Sequence, residues 1–168
     1  MGSGFDESTT QGPLVNASSV KKVNEHVEDA VSKGAHVKCG GKQAKGPGFF
    51  FEPTVLTGVT REMLVATEET FGPLAPIFEF ETEEEAIELA NDTEFGLAGY
   101  LFSKDISRVL RVAGALGCGM VGVNTGKISA SETPFGGVNE SGYGREGSKY
   151  GIDEYQVIKA ITIGNTDV

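Results

Sequence analysis

Two stretches carry residue types that could do chemistry. Glu68-Glu69-Thr70-Phe71-Gly72-Pro73 places two carboxylates and an aromatic ring in a loop directly ahead of an apolar strand. Pro134-Phe135-Gly136-Gly137, continuing through Ser141-Gly142 to Arg145-Glu146-Gly147, is an aromatic, glycine-rich loop. Loops presented by a rigid scaffold hold a disproportionate share of binding and catalytic residues. Within the second loop, Gly142-Tyr143-Gly144-Arg145-Glu146-Gly147 matches G-x-G-x-x-G. That pattern binds a dinucleotide only between a strand and a helix, with an acidic residue about 20 positions further on. A long loop precedes it here and too little chain follows for a completed βαβ unit, so it reads as a turn-rich segment.

The remaining reactive side chains point to bland roles. His36 and Cys39 fall in a predicted strand, where residues three apart face opposite sides and cannot share a metal. With 2 His and 2 Cys in the chain, no metal site is expected. His26 lies beside the apolar stripe of a predicted helix and is placed at its solvated edge. Neither histidine sits near a serine on a strained elbow, so no Ser-His-Asp triad is read. Cys118 follows a predicted helix, whose C-terminal dipole disfavours a thiolate, and Cys39 has only the solvated Lys38 and Lys42 nearby. Neither makes a nucleophile. Glu83, Glu84, Glu85 and Glu88 open a helix and read as its solvated, dipole-favoured face.

The elements that position these loops follow from periodicity. Val20, Val23, Val27, Ala30 and Val31 recur at helical spacing between a cap at Asn16 or Ser18 and a stop at Gly34. A short strand over Ala35–Cys39 follows, then extended segments around Phe49-Phe50-Phe51 and Pro53–Val59, placed near a sheet edge because Pro53 cannot donate to a ladder. Leu74–Phe80, Leu97–Phe102 and Met120–Val123 are strands. The helices between them are capped by Thr82, with Glu85 completing a capping box, and by Asp105. This alternation predicts an α/β fold with a mostly parallel sheet and crossover helices. An irregular stretch from Asn124 to Lys149 is longer than structureless loops usually are. A last strand, Gln156 to Ile163, has no evident partner in its own chain.

Composition narrows the function classes. The chain has 168 residues, 39% of them hydrophobic and 23% charged, with a formal net charge of −10. Length and composition fit a globular protein with a real core. The acidic balance and the lack of a Lys/Arg cluster argue against nucleic acid. No apolar run approaches the roughly 18 residues of a membrane span. No signal peptide is expected from Met1-Gly2-Ser3-Gly4. Two distant cysteines suit a reducing compartment, so the cytoplasm, or the mitochondrial matrix for an organellar parent, is expected.

Glu68-Glu69-Thr70-Phe71-Gly72-Pro73 resembles the E-E-x-F-G-P motif of the aldehyde dehydrogenase superfamily. Pro134-Phe135-Gly136-Gly137 with Ser141–Gly147 resembles its P-F-G-G-x-x-x-S-G-x-G-R-E-G signature. Gln11-Gly12-Pro13, Glu52-Pro53-Thr54, Asn91 with Gly96-Leu97-Ala98, and Gly122-Val123-Asn124 follow in family order. Gly147–Tyr155 most resembles the succinate-semialdehyde dehydrogenase branch. The resemblance covers about the last third of the family's length, and implies a partial catalytic domain over 1–149 with an oligomerisation segment over 150–168. It implies use of NAD or NADP by the full-length enzyme, an aldehyde substrate, and homo-oligomers formed through the terminal strand. Glu69 matches the residue accepting hydrogen bonds from the nicotinamide-ribose hydroxyls, and Phe71 the aromatic positioning the nicotinamide. Ser129 falls where the branch places a serine near the substrate carboxylate, and Phe135 lies close to the substrate entrance. The family's nucleophilic Cys, general-base Glu, oxyanion-hole Asn and cofactor domain map upstream of Met1. No catalytic residue is therefore assigned in this chain, which is expected to be inactive alone and to bind no cofactor tightly. A non-catalytic module that pairs through its terminal strand is the alternative.

Overall fold

Apolar residues at helical spacing form α1, Ala17–Ser32, with Val20, Val23, Val27 and Ala30 buried. Its start is fixed by Asn16, whose side chain accepts the Ser19 N–H at 2.9 Å. Its end is a Schellman motif. Gly34 takes φ +102°, the Gly34 N–H donates to Val31 O and the Ala35 N–H to Ala30 O. The computed structural model describes residues 1–165, and the chain divides into two compact units, Met1–Phe80 and Glu81 onward.

In the first unit, β1 (His36–Cys39) pairs antiparallel with β2 (Thr54–Thr57), and β2 pairs parallel with β3 (Leu74–Pro76). The strand order β1-β2-β3 makes β2 central, so the expectation that this segment lies at an edge is corrected. Pro53 stands just outside the ladder, and the first pairing N–H belongs to Thr54, which donates to Pro73 O at 2.8 Å. Alternate residues of β2 face the core, with Thr54 and Leu56 buried. Leu56 and Met63 pack with Ala30, Ala35 and Val59, while Phe51 packs with Val20, Val23 and Val27. A one-turn helix, α2 (Leu64–Thr67), leads from this core toward β3. β3 itself stops at Pro76, short of the expected Phe80.

The second unit begins with α3, Glu83–Asn91, and continues through β4 (Phe95–Gly96), β5 (Ala98–Leu101), α4 (Ile106–Ala115), β6 (Met120–Val123) and β7 (Val138–Asn139). Asp105 caps α4 by accepting from Ser107 and Arg108. β5 and β6 are parallel strands joined by α4, as the alternation predicts. Thr82 accepts the Glu85 N–H, but Glu85 reaches back to the Glu81 N–H rather than to Thr82, so the capping box is displaced by one residue. Glu83 is not simply solvated: Arg111 and Arg108 both donate to it, and they hold its carboxyl below the usual glutamate range.

Two expectations about strands need correction. β1·β2 and β4·β7 are antiparallel whereas β2·β3 and β5·β6 are parallel, so the strands form mixed pairings rather than a mostly parallel sheet. The predicted strand over Gln156–Ile163 is absent as well. Residues 156–165 carry no regular structure and are exposed, because a strand needs a neighbour for its N–H and C=O groups and no described residue offers one. A 3₁₀ turn, Gly151–Tyr155, precedes this segment. Among the described residues no helix is long and apolar enough to cross a membrane.

Candidate functional site

α1 carries a second stripe besides the apolar one. Lys22, His26, Asp29 and Lys33 lie at i, i+4, i+7 and i+11, on one side of the helix. All four address the segment that runs into the Glu68–Pro73 loop. Lys33 Nζ donates to Glu62 O at 2.6 Å, and the Leu64 N–H donates to Asp29 Oδ2 at 2.8 Å. The second bond satisfies the first free N–H of α2, whose N-cap Met63 has no side-chain acceptor. Lys33 also pairs with Asp29 at 2.7 Å. These two donors, Lys33 first and then the Leu64 N–H, hold the Asp29 carboxyl below the ordinary aspartate range.

His26 continues the stripe. It is 1% exposed, which corrects its placement at a solvated edge. Its Nδ1 lies 2.9 Å from Thr70 Oγ1 and its Nε2 3.4 Å from Glu68 Oε2. Lys22 Nζ approaches the same Glu68 oxygen at 3.9 Å. Val23, one turn before Val27, fills the space beneath Gly72, where any added Cβ would collide with Val23 Cγ2. The loop is thus fastened to α1 at Glu68, Thr70 and Gly72.

Between those points sit the two residues expected to meet a cofactor. Glu69 is exposed, and no hydrogen bond or ion pair among the described residues occupies its carboxylate. Phe71 is 82% exposed and adopts φ +50°, a left-handed backbone rare for an aromatic residue. Strained positions of this kind persist only where their surroundings impose them. An open carboxylate beside an open ring suits a ligand carrying hydroxyls and a flat heterocycle, so these residues fit a nicotinamide riboside moiety.

The expected substrate residues belong to the second unit. Ser129 is exposed in the irregular stretch after β6, with no hydrogen-bonding partner among the described residues. Phe135 is half-buried and joined to Glu146 by two backbone hydrogen bonds, Phe135 N–H to Glu146 O at 2.8 Å and the reverse at 2.7 Å. Arg145 Nη1 donates to both Gly137 O and Gly144 O at 2.7 Å, and the Gly96 N–H donates to Ser141 Oγ at 2.9 Å. A Cβ at Gly136 would press on Gly144 O and Arg145, so the signature's glycines serve close backbone packing. Among the described residues no α-helix follows Gly147, in keeping with the reading of G-x-G-x-x-G as turns.

Cys118 is partly buried and donates to Met120 O, while Cys39 is exposed at the end of β1. Among the described residues no cluster of His, Cys, Asp or Glu could hold a metal ion. The residue that sequence reasoning missed is His26. Its signal was its place between Val23 and Ala30, inside the span of the buried stripe.

Residues 1–161 match the description "Aldehyde dehydrogenase family". The chain belongs to the aldehyde dehydrogenase family. It is similar to the mitochondrial succinate-semialdehyde dehydrogenase of Rattus norvegicus, 58% identical over 164 residues, covering 98% of this chain and 31% of that protein. It is almost as similar to the 3-sulfolactaldehyde dehydrogenase of Pseudomonas putida, 56% identical over 99% of this chain and 34% of that protein. Among solved structures, the succinate-semialdehyde dehydrogenase of Burkholderia pseudomallei superposes with a TM-score of 0.92 at 62% identity, covering 95% of this chain and 33% of that one. The chain therefore spans about a third of the length of the relatives it matches.

The α1 stripe makes a pH prediction. Because the folded Asp29 has a depressed pKa, its stabilisation is complete above the unfolded value of about 3.9 and is lost as pH falls through the lower folded value. Asp29→Ala is expected to lower the melting temperature at neutral pH, with the gap from wild type closing below about pH 3.9. Thermal melts over a pH series measure this, and a gap that stays constant into acid would contradict it.

Proposed function

We propose that this chain supplies the nicotinamide-ribose end of the cofactor site and part of the substrate entrance of an NAD(P)-dependent aldehyde dehydrogenase that oxidises succinate semialdehyde to succinate. The observation that carries the reading is that one anchored loop exposes both the Glu69 carboxylate and the Phe71 ring. Glu69 accepts the ribose hydroxyls in charge-assisted hydrogen bonds, which fixes the sugar and with it the ring's position. Phe71 packs against the nicotinamide and limits its rotation. A nicotinamide held by these residues would supply the hydride acceptor for aldehyde oxidation. Ser129 donates to the substrate carboxylate, and Phe135 lines the entrance with apolar surface. The similarity to a sulfonate-bearing aldehyde's dehydrogenase supports an anionic substrate.

The family's nucleophilic cysteine and general base map outside residues 1–168, and we assign the nucleophile's role to neither Cys39 nor Cys118. The functional division we propose is a partial catalytic domain over 1–149 and an oligomerisation segment over 150–168. The thiols suit a reducing compartment, the cytoplasm or the mitochondrial matrix. The purified chain is expected to form no NAD(P)H from succinate semialdehyde under conditions where a full-length relative is active. It should bind NAD+ no more tightly than about millimolar. Turnover above background would mean that one of the two cysteines acts as nucleophile, and would overturn this assignment.

One observation favours self-association as well. Val157, Ile158, Ile161 and Ile163 are 92%, 98%, 75% and 78% exposed in a segment whose backbone has no strand partner among the described residues. Addition of this segment to a sheet edge of a second copy satisfies its backbone groups and covers its side chains. Light scattering coupled to size exclusion should give a mass above that of one chain, falling to the monomer when Ile158 and Ile161 are both changed to Lys. A monomer at every concentration of the unaltered chain would refute pairing.

A further inference from the structure

We propose that His26 is a positioning residue that sets the Glu69–Phe71 loop in its ligand-receiving shape through Thr70 and Glu68. The inference rests on reading Glu69 and Phe71 as cofactor ligands, and names the group that presents them. A buried imidazole with two ring nitrogens can bridge two loop residues, provided that each nitrogen has the right role. Glu68 as a carboxylate only accepts, so Nε2 must donate to it across the 3.4 Å separation. With the ring's proton on Nε2, Nδ1 is left to accept, and the Thr70 hydroxyl donates to it at 2.9 Å.

The residues on either side of Glu69 are therefore tied to one rigid ring in the interior. Glu68, its side chain 51% exposed, and the half-buried Thr70 are both held to His26, while Glu69 between them is exposed with no side-chain partner among the described residues. Phe71, next after Thr70, is left with φ +50° and its ring exposed. The charged groups around this bridge are Glu68, Lys22 on the same oxygen, and Asp29 one turn further along α1. Backbone hydrogen bonds hold the loop's margins, from the Glu68 N–H to Leu64 O on one side and from Leu74 and Thr54 to Gly72 O and Pro73 O on the other, so between them the side-chain bridge to α1 is what holds residues 69–71.

The test is ¹⁵N relaxation on the full chain, with backbone order parameters for residues 69 to 72. In wild type these should approach the roughly 0.85 of rigid backbone, and in Thr70→Val they should fall below about 0.6. Thr70→Val cuts the bridge from the loop side without disturbing the buried ring, so it separates positioning from packing. The α1 and β2 order parameters should not change. His26→Leu should loosen the loop equally, whereas His26→Asn, which keeps a polar atom near the Nδ1 position, should restore part of the order. Imidazole ¹⁵N shifts should show the proton on Nε2.

Unchanged loop order in Thr70→Val, or a proton on Nδ1, would overturn the proposal. Titration with NAD+ tests the underlying reading separately. Shifts at Phe71 that vanish in Glu69→Gln support it, and their absence in wild type refutes the cofactor assignment while the relaxation data still decide whether His26 holds the loop.

Discussion

The Leu64 N–H opens a helix too short to satisfy itself, and the Glu68 carboxylate follows directly at its other end. Both find their partners on α1. Asp29 takes the N–H, His26 and Lys22 take the carboxylate, and Lys33 takes the Glu62 carbonyl just before the turn. Without Asp29 the half-buried Leu64 N–H would lose its acceptor, and an unmet donor costs more than the bond itself contributes. With it, a short helix and a loop become extensions of a long, well-capped helix. Glu69 and Phe71 inherit their position from α1 rather than from any regular structure of their own.

The second unit uses the same device with different residues. Side-chain amides and a guanidinium stand in for backbone ladders where the chain is irregular. Asn91 donates to Ala115 O and accepts from the Gly117 N–H, which locks the end of α3 to the turn after α4. Asn124, itself at φ +54°, accepts the Ser103 N–H and donates to Ser103 O. Arg145 collects two carbonyls of the glycine-rich loop. The long stretch after β6 can therefore present Ser129 and Phe135 with only the two-residue β7 and one bridge for regular support.

The apolar period and the caps were legible in the sequence because they depend on neighbours within a few residues. Asn16, Gly34, Thr82 and Asp105 all cap or stop helices as their types and places predict. The parallel β5–α4–β6 crossover was legible for the same reason. What the sequence hid were interactions between residues far apart in the chain. His26 meets Thr70 across 44 positions, and nothing near His26 in sequence indicates that contact. The central place of β2 was hidden because Pro53 stands one residue outside the ladder. Glu83 looked like one of four solvated glutamates until α4 brought two arginines to it. The loop residues themselves, Glu69 and Phe71, were legible only through family resemblance, since a carboxylate and a ring in a loop do not name their ligand.

The measurement that bears most directly on this account is native-state amide hydrogen exchange of the intact chain. The Leu64 and Glu68 N–H groups, one bonded to Asp29 and the other to Leu64 O, report whether α2 is an extension of α1. The account predicts that both exchange with the same opening free energy as the central amides of α1, as members of one cooperative unit. Fast exchange at Leu64 and Glu68 while Val23 and Val27 stay protected would show that α1 does not hold the loop, and would contradict the account at its base.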